Sequence, residues 1–288
     1  MAVTRALVHL RPTSLRSAET IATAAQDDRD PAPPPRGIHR DAIVTHHDAG
    51  PIPLIRLQPR RAATGTQLVY LHGGAYVNPL DPFHWFLVRA LLRRTGATIT
   101  MPLYLRAPQH TAAENFGPLL ELHHQLRTEH PRLVVAGDSA GAGLALSLAI
   151  QARDAGQPAA DALVLFSPWV DVRTNHPGIA AVQAHDAMLH PEGLIWAGQK
   201  WAGTLPVDDP RISPAADALA ALPPLSIHQG TADIFAPDVE DFAARAAAAG
   251  TRVELEMVPG GFHVYMAVTG LPESRVTLDR AARVVRGA

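Results

Sequence analysis

The sequence predicts an α/β fold, in which a mostly parallel twisted sheet carries helices on both faces and a helical cap. Strand-like and helical runs alternate along most of the 288 residues, as parallel sheets require. The runs around Val134 and Leu163 are apolar throughout, which is typical of strands covered on both faces. Ser139 stands between two glycines where one such strand meets a helix-prone stretch.

The elements follow in chain order from hydrophobic period and from the turn residues between them. Candidate strands are residues 52–57, 67–71, 98–101, 133–136, 162–166, 225–229 and 253–258. Candidate helices are residues 83–94, 113–129, 140–155, 192–201, 236–249 and 273–285. We expect a single domain over residues 1–288, with proline clusters in the loops.

Two segments depart from the alternation. Residues 14–26 resemble a short amphipathic helix, and the proline-rich stretch 27–35 after it cannot continue a helix. About 60 residues separate the strand near Phe166 from the strand near Leu225, which is too long for a structureless loop in a compact domain. We expect the first part, about 172–205, to be inserted over the site; a longer excursion on the flank is the alternative.

Composition excludes several functions. A formal net charge of −2 gives no general attraction to nucleic acid or to an anionic membrane. Cysteine is absent, which excludes disulfides, a cysteine nucleophile and thiolate metal sites. The single lysine, Lys200, lies in an ordinary helical stretch, which argues against Schiff-base chemistry.

Neither a cofactor nor a metal is expected. The 15 histidines form no His-Glu-x-x-His segment and are expected at the surface or in packing positions. No window reaches the roughly 18 apolar residues of a membrane span, and residues 1–11 lack the apolar core of a signal peptide. A cytoplasmic protein is therefore expected.

Ser139 is the candidate nucleophile. The segment Gly-Asp-Ser-Ala-Gly at residues 137–141 follows an apolar run and precedes an alanine-rich stretch, the strand–turn–helix setting of a nucleophile elbow. Glycines on either side let the strand and the helix approach closely. A helix that begins at Ala140 directs its N–H groups towards developing negative charge.

A serine hydroxyl needs a base, and the base needs an acid to orient it. In this setting the chain order is serine, acid, histidine. His263 follows a glycine-containing loop just after the last strand and is the predicted base. Asp233 lies in the loop after strand 225–229 and is the predicted acid. The rejected candidates lie inside predicted strands, helices or the insertion: His176, His185, His190, His228, Asp238, Glu240 and Asp241.

The segment His-Gly-Gly-Ala at residues 72–75 also follows a strand-like run. Such a loop can present backbone N–H groups to an oxyanion. We therefore predict an oxyanion hole formed by the N–H groups of Gly73, Gly74 and Ala140. An ordinary tight turn is the alternative for this loop.

Several segments together resemble those of α/β-hydrolases of the hormone-sensitive-lipase type, the bacterial family IV esterases. They are residues 72–76 (HGGAY), 137–141 (GDSAG), 167–171 (SPWVD), 209–214 (DPRISP) and 260–263 (GGFH). Residues 104–110 (YLRAPQH) are similar to the family's Tyr-Arg-Leu-Ala-Pro-Glu-His, with Leu and Arg exchanged and Gln for Glu. Ala75 stands where the family has a third glycine.

The resemblance implies hydrolysis of small, short- to medium-chain acyl esters through an acyl-enzyme on Ser139, without a cofactor. It also implies a cap formed by about residues 1–45 together with the insertion. The same triad would serve a lactonase, a deacetylase or an amidase acting on a specific metabolite. A binding protein on the same fold is a further alternative, although such proteins typically lose a triad member. Strand 253–258 is expected at a sheet edge, where it can pair in a homodimer.

Overall fold

The computed structural model describes residues 17–26, 29–47 and 50–288. In these ranges the strands are β1 Ala42–His47, β2 Leu54–Pro59, β3 Thr66–Leu71, β4 Thr98–Pro102, β5 Arg132–Asp138, β6 Ala162–Phe166, β7 Leu225–Gly230 and β8 Val253–Val258. The α-helices are α1 Ala18–Gln26, α2 Pro82–Thr95, α3 Ala112–Glu129, α4 Ala140–Asp154, α5 Ile179–Gln183, α6 Pro191–Ala202, α7 Ala236–Ala248 and α8 Pro272–Arg286.

The strands form one eight-stranded sheet in the order β1-β2-β4-β3-β5-β6-β7-β8. β2 runs antiparallel to both of its neighbours, β1 and β4. All pairs from β4 to β8 are parallel. The predicted mostly parallel sheet is therefore confirmed. β8 lies at an edge, as expected, and its pairing in a homodimer stays a prediction.

Two clusters of buried side chains cover the two faces of the sheet. Successive residues of β3 alternate between them, so that Leu68 and Tyr70 pack with helices α2 and α8. Val69 and Leu71 pack with helices α3, α4 and α7 on the other face. This alternation is the two-residue period of a strand buried on both sides.

The six predicted helices begin and end within one residue of α2, α3, α4, α6, α7 and α8. Strand β1 was not predicted, because it is an edge strand that is exposed along most of its length and therefore lacks a continuous apolar run. The predicted strand 52–57 is displaced by two residues from the observed β2.

Helix α1 occupies the C-terminal part of the predicted helix 14–26; residues 14–16 of that prediction, and residues 27 and 28 of the predicted linker, lie outside the described residues. α1 packs against α6 of the insertion, and Gln109 Nε2 donates to the Ala25 carbonyl at 2.9 Å. The sheet begins at Ala42, inside the N-terminal segment predicted for the cap. The cap itself stays a prediction, and residues 1–16 of it lie outside the described residues. None of the helices described is both long and apolar enough to cross a membrane.

Candidate active site

Three predicted residues meet at the carboxyl ends of the parallel strands. Ser139 follows β5, Asp233 follows β7 and His263 follows β8. His263 Nε2 lies 2.9 Å from Ser139 Oγ, and His263 Nδ1 lies 2.8 Å from Asp233 Oδ2. The structure thus joins the predicted nucleophile, base and acid in one hydrogen-bonded series.

The turn at Ser139 is tight and strained. Its φ of 52° lies in a region that residues with a side chain rarely adopt. A Cβ atom on Gly141 would lie 2.1 Å from the Leu71 carbonyl oxygen, and one on Gly137 would lie 2.5 Å from the Gly141 carbonyl. Only glycine fits both positions, so the close approach of β3, β5 and α4 requires these two residues.

Burial and charge act in opposite directions on the base. His263 is 4% exposed, and burial alone would lower its pKa. The Asp233 carboxylate outweighs burial through its charge and its hydrogen bond, and it raises the pKa of His263 above the usual value. Asp233 Oδ1 accepts the N–H of Phe235 at 3.0 Å, which leaves Oδ2 to hold the imidazole in one orientation.

The loop after β3 differs from the prediction in one respect. The N–H of Gly73, predicted to bind an oxyanion, donates to Asp138 Oδ1 at 3.0 Å. A Cβ atom on Gly73 would lie 2.3 Å from Asp138 Oδ2, so the loop presses against this carboxylate. In the part of the chain described, the N–H groups of Gly74 and Ala75 donate to no other protein group. Ala75, which stands where the family has a third glycine, adopts a left-handed backbone with a φ of 53°.

Sequence reasoning missed the network around Asp138. Tyr70 donates its hydroxyl to Asp138 Oδ1 at 2.6 Å, and His84 Nε2 lies 3.5 Å from Asp138 Oδ2. Burial alone would raise the pKa of Asp138, but the neighbouring His84 and the Tyr70 hydroxyl outweigh it and lower that pKa. The only signal for this role was the position of Asp138 inside the glycine-flanked segment.

His84 is the cation of this network. Burial opposes a charge on its ring, but the Asp138 and Asp81 carboxylates outweigh burial and raise the pKa of His84 to about 10. Its Nδ1 lies 2.9 Å from the Asp81 N–H and 3.1 Å from Asp81 Oδ1, and one proton state cannot satisfy both contacts. The flanking carboxylates favour the protonated ring, which donates to Asp81 Oδ1.

Aromatic rings support the loop from the other side. The His72 ring stacks on Tyr104 with 4.5 Å between ring centroids, and Tyr104 donates its hydroxyl to the His72 carbonyl at 2.8 Å. Burial lowers the pKa of His72 to about 3, so this imidazole is neutral. Tyr76 stacks on Trp201 of α6 at 4.3 Å, which connects the loop to the insertion.

The segment with Leu and Arg exchanged also contacts this loop. Arg106 Nη1 donates to the Val77 carbonyl at 3.2 Å, and Arg106 Nη2 donates to the Arg29 carbonyl at 3.1 Å. Gln109 likewise donates to the Ala25 carbonyl. Both residues that depart from the family pattern, Arg106 and Gln109, therefore bind backbone carbonyls of neighbouring segments. Among the described residues, no three His, Asp or Glu side chains gather as a metal site would require.

Comparisons with known proteins identify the family of the chain. Residues 68–267 match the family described as alpha/beta hydrolase fold. An acetyl-hydrolase of Streptomyces hygroscopicus is 34% identical over 231 residues, which cover 78% of this chain and 76% of that protein. An esterase of Acinetobacter venetianus is 30% identical over 223 residues, 75% of this chain and 73% of that protein. The crystal structure of the HSL-homolog EstE7, from a metagenome library, shares the fold with a TM-score of 0.85 over 99% of this chain and 97% of that one, at 24% identity.

Proposed function

The chain belongs to the alpha/beta hydrolase fold family, and from this premise we propose that it is a serine hydrolase of carboxylic esters. The α/β-hydrolase family inferred from the motifs is confirmed, and the relatives named acetyl-hydrolase and esterase support the resemblance to enzymes of the hormone-sensitive-lipase type. The observation that carries the proposal is the series from Ser139 through His263 to Asp233, with contacts of 2.9 and 2.8 Å.

The reaction proceeds in two steps. His263 Nε2 takes the proton of Ser139 Oγ as this oxygen attacks the ester carbonyl, and Asp233 stabilises the imidazolium that forms. The tetrahedral intermediate collapses, and His263 gives its proton to the alcohol that leaves. Water then attacks the acyl-enzyme with His263 again as base, which releases the acid and restores Ser139.

The backbone donors are revised from the sequence-based prediction. Because the Gly73 N–H is occupied by Asp138, we assign the oxyanion to the N–H groups of Gly74, Ala75 and Ala140. Ala140 is the first residue of α4, where N–H groups lack acceptors within the helix. Gly73 then has a different role, which is to anchor the loop beside the nucleophile.

The similar proteins and the packing around the loop bear on the size of the acyl group. The similar Streptomyces protein is named an acetyl-hydrolase, and aromatic side chains with neighbouring helices pack closely around the loop. We propose a small ester with a short- to medium-chain acyl group as substrate, with no cofactor. A panel of p-nitrophenyl esters of increasing acyl length, with lactones and anilides alongside, separates an esterase from a lactonase or an amidase.

The test of the mechanism is a pair of serine variants. Ser139→Ala removes the nucleophile and is expected to abolish turnover and labelling by a fluorophosphonate probe. Ser147→Ala is the matched control, because Ser147 is also buried, lies in the helix that Ser139 precedes, and donates to the Arg211 carbonyl. Turnover by the Ser139 variant, or probe attachment at another residue, contradicts the proposed mechanism.

A further inference from the structure

Asp186 is a second buried carboxylate beside the triad. It lies in the insertion between α5 and α6, is 9% exposed, and has no part in the mechanism above. It borders a cavity of about 680 Å³ together with Met188, Leu189 and His190. A buried carboxylate close to a second carboxylate, here Asp233, is costly unless its charge is used or compensated.

The two oxygens of Asp186 have different partners. Oδ1 accepts the N–H groups of Met188 and Leu189 at 2.7 and 2.8 Å, which is a local turn within the insertion. Oδ2 accepts the N–H of Ile234 at 2.8 Å, in the loop that bears the catalytic acid. The local turn needs only Oδ1, so the second contact ties the insertion to the residue after Asp233.

The loop after β7 is thus held by two carboxylates. Asp186 binds the N–H of Ile234, and Asp233 binds the N–H of Phe235 with its own Oδ1. Together these bonds determine the direction of Asp233 Oδ2 towards His263. The segment between β6 and β7 therefore holds the Asp233 loop by a side-chain hydrogen bond as well as by packing.

Charge supports the same relation. Burial and the nearby Asp233 charge raise the pKa of Asp186 to about 6, whereas its backbone donors and His263 act in the opposite direction. In turn, the Asp186 charge adds to that of Asp233 in raising the pKa of His263. The other titratable group at the cavity, His190, has its Nε2 2.6 Å from Gln183 Nε2.

We propose that Asp186 is a positioning residue of the insertion, which holds the Asp233 loop and adds a second negative charge behind His263. This inference rests on the proposed function and extends it to a residue outside the triad. Through Asp186, the insertion then helps to position the catalytic acid. A change in the conformation of the insertion would alter the orientation of His263 through this one side chain.

The variant Asp186→Asn keeps the shape and removes the charge. Its amide cannot accept at both ends, so either the Ile234 N–H or the turn donors lose their acceptor. We expect kcat to fall by about 10- to 100-fold with KM little changed, as for a small displacement of a catalytic group. Because the pKa of His263 falls when the charge is lost, the acid limb of kcat/KM moves to lower pH.

Asp217→Asn is the matched control. Asp217 is 8% exposed and likewise accepts a local N–H, from Leu219 at 2.7 Å, but it pairs with Arg153 and not with the triad. This variant is expected to lose stability while kcat and the pH profile stay those of the wild type. An equal fall in kcat in both variants would mean that Asp186 serves stability alone.

A spectroscopic measurement separates this inference from the esterase proposal. The proton on His263 Nδ1 and the ring titration can be followed by NMR without substrate, so they decide about Asp186 even if the wild type hydrolyses no ester. We expect a lower His263 pKa in Asp186→Asn. In the wild type, which needs no variant to fold, we expect the Ile234 N–H to be protected from solvent exchange by its bond to Asp186 Oδ2. Superimposable titration curves for variant and wild type, or an Ile234 N–H that exchanges freely in the wild type, overturn the inference.

Discussion

Removing the Tyr70 hydroxyl is expected to destabilise the protein more than removing the Tyr104 hydroxyl. Both side chains are buried, and both hydroxyls donate to groups beside the same loop. Tyr70 donates to the ionised Asp138 at 2.6 Å, whereas Tyr104 donates to the neutral carbonyl of His72 at 2.8 Å. The comparison therefore isolates the charge of the acceptor.

The expected magnitudes follow from the acceptors. A hydrogen bond to a charged group contributes about 1.5–3 kcal/mol, and a neutral one about 0.5–1.5 kcal/mol. Tyr70→Phe should thus lower the free energy of unfolding by roughly 1 kcal/mol more than Tyr104→Phe. Because the pKa of Asp138 is lowered in the folded state, the extra loss is present at neutral pH and fades only as pH falls through that pKa.

Urea unfolding at pH 7, followed by tryptophan fluorescence, measures both free energies. The slope with urea should be the same in both variants, since neither change exposes new surface. Equal losses, or a larger loss for Tyr104→Phe, would refute the view that Asp138 is ionised and held by Tyr70. A loss that persists unchanged into acid, where Asp138 takes up a proton, would refute it as well.

Three further predictions test the site. The acid limb of kcat/KM should lie above the usual range of a histidine, because His263 must be neutral to act as base and the Asp233 carboxylate raises its pKa; a rate–pH profile with a limb below that range contradicts this. Asp233→Asn should lower kcat by roughly 10⁴-fold through loss of the imidazole orientation, and steady-state kinetics showing a small change would exclude Asp233 as the acid. Gly141→Ala should abolish soluble expression, since its methyl group would lie 2.1 Å from the Leu71 carbonyl oxygen; Gly270→Ala, with nothing within 4 Å, should express and react normally.

Local patterns in the sequence predicted most of the fold. The helices were found because they are rich in apolar and helix-forming residues and most end close to a glycine or a proline, all of which are local signals. Ser139, Asp233 and His263 could be placed because the carboxyl ends of parallel strands share one edge of the sheet. The edge strand β1 carries no such signal, since one face of it and one side of its backbone remain open to solvent.

Contacts between distant segments set the limit of that prediction. We no longer assign the oxyanion to the Gly73 N–H, because Asp138, 65 residues further along the chain, accepts it. The contact of Asp186 with Ile234 spans 48 residues and has no pattern of its own in either segment. Which backbone N–H a side chain binds depends on where both groups lie in the folded protein, so the sequence alone does not reveal these contacts.

The buried carboxylates are arranged to match the charges of the proposed reaction. Attack by Ser139 creates a negative oxygen near the glycine loop and a positive imidazolium on His263 at the same moment. An uncompensated Asp138 would oppose the first charge, but Tyr70, the Gly73 N–H and protonated His84 surround it on the side of the loop. Asp233, Asp186 and, to a smaller extent, Asp138 raise the pKa of His263 and so favour the second charge. The negative charge of Asp138 is thus offset by donors beside the oxyanion loop, whereas the carboxylates near His263 favour its protonated form, and this distribution stabilises the separated charges of the transition state.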